Sequence, residues 1–256
     1  MGIINLAHGS FYMMGAYLAF ALAPLFGPNF LLMLGAGVLL SAAFGYLLEW
    51  AFFSFLYERE HLQQVLMTYA LILVFEEARS LLIGNDVHGV SAPAWLAGTL
   101  PLGELMTYPV YRLFASAACI VVGLALYLVV NKTRLGMMIR AGASNRDMAQ
   151  SLGINIKFIY TLVFALGVAL AAFAGMINAP LSSVFPNMGG QVLIICFVVV
   201  VIGGIGSVKG AMAASLMIGL ADTFGQVLLP EVAGMIVYVL MAAVLVWRPA
   251  GLFGKT

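Results

Sequence analysis

Residues 136–177 read GMMIRAGASNRDMAQSLGINIKFIYTLVFALGVALAAFAGMI, and the change of character at residue 158 decides the fold. From Phe158 to Pro180 there is no Asp, Glu, Lys or Arg. At 1.5 Å per residue, about 20 such residues cross a hydrocarbon core about 30 Å thick, so this half reads as a membrane-spanning helix. Ahead of it stand Arg134, Arg140, Arg146 and Lys157, four of the chain's eleven basic residues, with Lys132 just before them. Basic residues gathered beside a span mark a cytoplasmic loop.

The whole chain extends this pattern. Its 256 residues are 64% hydrophobic and 8% charged, too little polar surface to cover a soluble globule. Apolar runs at about 9–27, 30–57, 65–84, 110–130, 158–180, 190–207, 209–229 and 232–247 give about eight hydrophobic segments in one continuous domain, residues 1–256. They are continuously apolar and do not alternate, which argues against a β-barrel. The predicted fold is therefore all-α, a polytopic transmembrane helical bundle seated in a lipid bilayer. A net charge of +1 predicts no nucleic-acid partner. Cys119 and Cys196 sit inside apolar runs and lack metal-ligand spacing, so they read as small hydrophobes, with no metal and no cofactor expected. The start of the chain shows no basic region before its apolar run, hence no cleavable signal peptide.

Orientation follows from the basic residues. With 132–157 inside, counting spans outward puts Met1, Arg59, Lys209, Arg248 and Lys255 inside too, and the 85–109 loop outside, with Asp86 and Glu104 but no Lys or Arg. Arg79 and Arg112 fall toward the outer side and are expected to snorkel. Segments 9–27 and 190–207 are short enough for either to be re-entrant. In the 158–180 span, Gly167, Ala171 and Gly175 form a small-residue stripe on which another helix can pack closely. GGIGSVKGA, residues 203–211, reads as a tight turn or as broken helix lining a cavity.

The basic loop carries its own helix signals. Ser144 reads as an N-cap, Asp147 completes an S-x-x-D capping pattern, and Gly153 can adopt the left-handed conformation that ends a helix. Within these two turns Met148 and Leu152 share one face, while Asn145, Arg146 and Gln150 lie elsewhere. Such a helix suits either a bed of lipid headgroups or a docking surface on another protein.

Residues 136–177 are similar to the cytoplasmic loop and following helix of permeases of the branched-chain amino acid ABC importers, of the Liv-type high-affinity systems. IINLAHGSFYMMGAYLA at 3–19, GGIGSVKGA at 203–211 and RPAGLFGK at 248–255 resemble three further signatures of that family, in its order. The resemblance implies a permease subunit that translocates branched-chain or related small amino acids, multi-pass in a bacterial cytoplasmic (inner) membrane. It implies as partners cytoplasmic ABC ATPase subunits, a second permease chain in a homo- or heterodimer, and an extracytoplasmic solute-binding protein. It makes Ser144, Asn145, Arg146, Asp147, Met148, Ala149, Leu152 and Gly153 a cytoplasmic coupling helix. It also draws attention to Asn5, His8 and Gly9, and with Gly203, Gly204 and Gly206 these are candidates for the translocation path. The family carries another hydrophobic helix before the stretch that begins here at MGIINLAHG, so that helix is expected to be missing.

The chain is not expected to hydrolyse ATP or to be an enzyme. A nucleotide loop needs G-x-x-x-x-G-K-[ST] before a helix. Pro249 replaces the first glycine ahead of Gly254, Lys255 and Thr256, and Val208 stands where glycine should precede Lys209. His8 reads either as a hydrogen-bonded structural residue or as a ligand at a span entrance. Glu76 and Arg79 at i, i+3 partly neutralise each other, and the Glu76–Glu77 doublet departs from the family, where amides are more usual. Glu49, about two turns before Glu58, should snorkel or pair at the inner boundary, and Asp222 needs an internal partner. Two other readings stay open: an ion-coupled secondary transporter of a small polar solute using Glu76, Glu77, Asp222 or His8, or an ABC permease for urea or short amides.

Overall fold

All eight apolar segments are helical. The computed structural model describes residues 5–57, 59–101 and 107–254; Met1, Glu58, Glu104, Lys255 and Thr256, discussed above, lie outside them. The chain runs α1 (His8–Phe26), α2 (Phe30–Leu48), a π-helical turn (Glu49–Phe53), α3 (Ser54–Leu56), α4 (His61–Leu82), β1 (Thr99–Pro101), β2 (Thr107–Pro109), α5 (Val110–Lys132), α6 (Arg134–Ser144), α7 (Arg146–Ser151), α8 (Ile156–Asn178), α9 (Met188–Gly203), α10 (Val208–Leu228) and α11 (Ala233–Trp247).

Among the described helices, α1, the continuous Phe30–Leu56 rod, α5, α8 and α10 are both long and apolar enough to cross a membrane. The 22-residue α4 carries Glu76, Glu77 and Arg79, and α9 and α11 have 16 and 15 residues. At 1.5 Å per residue α9 is about 24 Å long, below the full hydrocarbon thickness. It stops at Gly203 because Gly204 turns left-handed, with φ 93°. The 85–109 loop also holds a small antiparallel hairpin, with Leu100 opposite Tyr108, so among the described residues one pair of strands and a bridge between His88 and Val184 accompany the helices.

The described residues pack as two units. The first, Met1–Val122 with Val129–Gln191, is built on α8 lying along α1 and α2. The stripe of small residues makes this possible. A Cβ on Gly175 would overlap the Tyr12 carbonyl, and one on Gly15 would overlap the Ala172 carbonyl, so α1 and α8 meet backbone to backbone. A Cβ on Gly45 would come 2.8 Å from the Val168 side chain, bringing α2 in on the same helix. Below this contact Ala7, Phe11, Leu48, Phe53, Leu71 and Val168 form a buried cluster, with Phe11 edge-on to both Phe75 and Phe164. Tyr111 of α5 donates to the Ile177 carbonyl at 2.8 Å, tying α5 to the C-terminal end of α8.

The second unit, Gly123–Leu128 with Val192–Thr256, centres on Val198, Ile202, Ala214, Ile218 and Val237. Gly203 and Gly210 touch through their backbones, so the 203–211 stretch is a tight turn between α9 and α10. Ser207 caps α10, its hydroxyl accepting from the Gly210 N–H at 3.0 Å. The two signatures of this unit then meet. Leu252 and Phe253 donate their backbone N–H groups to the carbonyls of Ile202 and Gly203 at 2.8 and 3.1 Å. RPAGLFG thus satisfies carbonyls that the end of α9 leaves without helical partners. Left-handed Gly204 and Gly251 (φ 80°) permit the contact, a Cβ on either overlapping the other strand of the turn.

Candidate functional site

The helix proposed from the basic loop is present, one residue shorter at its start. Ser144 is not the N-cap: it is the last residue of α6, an 11-residue helix that the sequence reading treated as loop. Thr133 starts α6, accepting from the Gly136 N–H at 3.2 Å, so the helical run is already under way at Ser144. The chain breaks at Asn145, which is extended (φ −150°, ψ 105°) and whose Oδ1 accepts from the Met148 N–H at 3.0 Å. Asn caps as well as Ser, and here it alone has the non-helical backbone that a cap requires. Asp147 lies in the first turn, favourably placed against the helix dipole. Replacing Asn145 with Ala should cost about 1 kcal/mol of local stability, seen as faster amide exchange across 146–151.

The end of α7 is as expected from Gly153, which has φ 82°. Gly153 donates to the Gln150 carbonyl at 3.0 Å and Ile154 to the Ala149 carbonyl at 3.1 Å, the paired bonds of a Schellman motif. Ala149 is buried with Ile156 and Tyr160, which roots α7 on the start of α8, and Arg146 lies 5.8 Å over the Tyr160 ring. Met148 and Leu152 face the other way, 64% and 75% exposed. Fixed at both ends and held on one side, the helix presents two apolar side chains to whatever lies outside the chain.

Beside α7 is a cleft of about 880 Å³ whose wall includes Glu49, Trp50, Tyr57, Arg59, Arg146 and Lys157. Glu49 does not snorkel. It sits in the π-helical turn, is 3% exposed, and accepts a hydrogen bond from Thr161 at 2.5 Å. Gln64 holds the nearby turn, donating to the carbonyls of Leu56 and Arg59 at 2.9 and 3.0 Å.

The other candidates fall in different places. Asn5, His8 and Gly9 belong to the first unit and Gly203, Gly204 and Gly206 to the second. Asn5 makes a turn, its Oδ1 accepting from the Ala7 N–H at 3.0 Å; the His8 ring is edge-on to Phe11 and rests over Gly167. The Gly9 carbonyl lies against Gly189, a close backbone approach. Gly203 and Gly204 have the packing role described above.

Arg79, expected to snorkel, is instead held within the first unit, with its side chain 8% exposed. It pairs with Glu76 at 3.2 Å and donates to the Gly84 carbonyl and to Asn85 Oδ1, capping the end of α4. Arg112 is exposed. Replacing Arg79 with Leu should therefore cost about 3 kcal/mol by leaving Glu76 without its counter-charge. The measured signature is a fall in Tm in detergent, partly restored by adding Glu76→Gln. Asp222 has an internal partner one turn on, Gln226, which donates to it at 2.9 Å, and it lines a cavity of about 390 Å³ with Ser215 and Tyr238. No group of three His, Cys, Asp or Glu side chains among the described residues could hold a metal ion.

The family model described as branched-chain amino acid transport system, permease component, matches residues 1–245. The chain belongs to this family. It is 31% identical to the high-affinity branched-chain amino acid transport system permease protein BraD of Pseudomonas aeruginosa, covering all of this chain and 87% of that one. It is 28% identical to LivH of Escherichia coli, again over the whole chain and 87% of the relative. The probable LivH of Methanocaldococcus jannaschii is 26% identical over 98% of this chain and 82% of its own. No solved structure matches it. Members of this permease family are transport components, and the chain is a multi-pass membrane protein of that kind.

Proposed function

We propose that the chain is the permease subunit of an ATP-driven importer of branched-chain amino acids in a bacterial cytoplasmic membrane, working as one permease domain beside a second permease chain. The observation that carries this is the outward pair Met148 and Leu152 on a helix capped at both ends. A solvent-facing apolar pair on a helix capped at both ends suits a partner groove. A separate cytoplasmic ATPase supplies that groove, with α7 as the coupling helix and Asn145 to Gly153 as its docking element. The ATPase, not this chain, hydrolyses ATP. A solute-binding protein delivers substrate to the outer face, including the 85–109 loop, and the head of α1 with His8 borders the path. ATP binding draws the coupling helices together and shifts the bundle between outward-open and inward-open states.

Uptake of labelled leucine into vesicles holding the complete system tests this against the ion-coupled reading. Uptake should follow ATP and persist when ionophores collapse all gradients. Uptake driven by an imposed ion gradient without ATP would remove the proposal.

A further inference from the structure

We propose that the 880 Å³ cleft beside α7 binds the phosphate group of an anionic phospholipid from the leaflet that α7 faces. The leaflet is cytoplasmic on the orientation proposed above; the site itself does not depend on that reading.

Three cations, Arg59, Arg146 and Lys157, line the cleft, and among the described residues none of them forms a salt bridge. The one carboxylate in the wall, Glu49, is buried and engaged by Thr161. Stacking on Tyr160 occupies a face of the Arg146 guanidinium and leaves its edge for a planar acceptor. The 23-residue α8 begins in the same wall, with Ile156 and Lys157, and adds the positive end of its dipole. These are the groups that a phosphate oxygen satisfies.

The remaining lining selects a lipid over an acidic protein surface. Trp50 and Phe55 are 67% and 70% exposed and belong to the same cleft, where the α2 rod ends. Aromatic side chains beside cations at the end of a span match the glycerol level of a bilayer. Met148 and Leu152, the side chains assigned to the ATPase, are not part of the cleft. A phospholipid here would brace α7 against α8 through Arg146.

The test is lipid binding to the purified full chain in neutral detergent, read by native mass spectrometry with phosphatidylglycerol or phosphatidylcholine. Wild type should retain phosphatidylglycerol preferentially, and inorganic phosphate at millimolar concentration should not displace it. Arg59→Gln with Lys157→Gln should weaken retention about 30-fold, at roughly fivefold for each charge, while Arg59→Lys with Lys157→Arg keeps it. If the double variant does not fold, Lys157→Gln alone, at an exposed position, should still give about a fivefold loss. Equal retention of phosphatidylcholine, displacement by free phosphate, or unchanged retention in the Gln variants each overturns the proposal. So does loss of ATPase co-purification in those variants with lipid retention intact, since the cleft would then be a protein contact.

Discussion

Replacing Leu152 with Asp is expected to abolish leucine uptake while the chain still reaches the membrane in normal amount. Leu152 is 75% exposed and follows the last helical residue of α7, so a carboxylate there disturbs nothing within the chain. On the coupling role proposed for α7, its cost falls in the partner groove, where an apolar anchor would be replaced by a buried charge. Such a change at an interface costs about 2–4 kcal/mol, or about 30- to 1,000-fold in association. Uptake, co-purification of the ATPase and membrane level are measured together. Leu152→Met keeps an apolar side chain of similar volume and should retain all three. If Leu152→Asp transports normally, α7 is an interfacial helix and the coupling assignment fails.

Gly175→Ala is expected to prevent folding of the first unit. The added methyl overlaps the Tyr12 carbonyl and lies 2.9 Å from the Ala16 nitrogen, both backbone atoms of α1 that no rotamer change can move. Overpacking that side chains can absorb costs about 1–3 kcal/mol, and a backbone collision exceeds that range. Without a hydrophobic driving force between helices in lipid, loss of the close α1–α8 contact is not offset elsewhere. The measurement is the yield and Tm of detergent-purified chain. Gly35→Ala is the control: beyond its own stretch of helix nothing lies within 4 Å of its added Cβ, and its yield should match wild type.

Residues 144–153 show how far local chemistry can be read. Gly153 announces the end of α7 because few other residues take φ 82° without strain. The start was misplaced by one residue because Ser144 and Asn145 are both good caps, and the choice depended on where α6 ended. That helix is announced by Thr133 and Gly136, a capping pair that the density of basic residues obscured. Arg79 was misjudged for a different reason. Its partners Gly84 and Asn85 lie past the end of α4, and only the left-handed turn at Gly84 (φ 97°) brings them back onto the guanidinium.

Nothing in the order of residues linked Leu252 to Ile202 or Thr161 to Glu49. The sequence by itself determined the membrane class, the eight helical segments, the cap at Gly153 and the small-residue stripe through Gly175. Those properties rest on length, apolarity and hydrogen bonds spanning a few residues. The tertiary structure decided which helix meets the stripe, where the carbonyls of α9 find donors, and that Met148 and Leu152 face outward while Ala149 is buried. In lipid every apolar face is nearly equivalent, so pairing depends on shape and on a few polar contacts, which exist only once the helices are side by side.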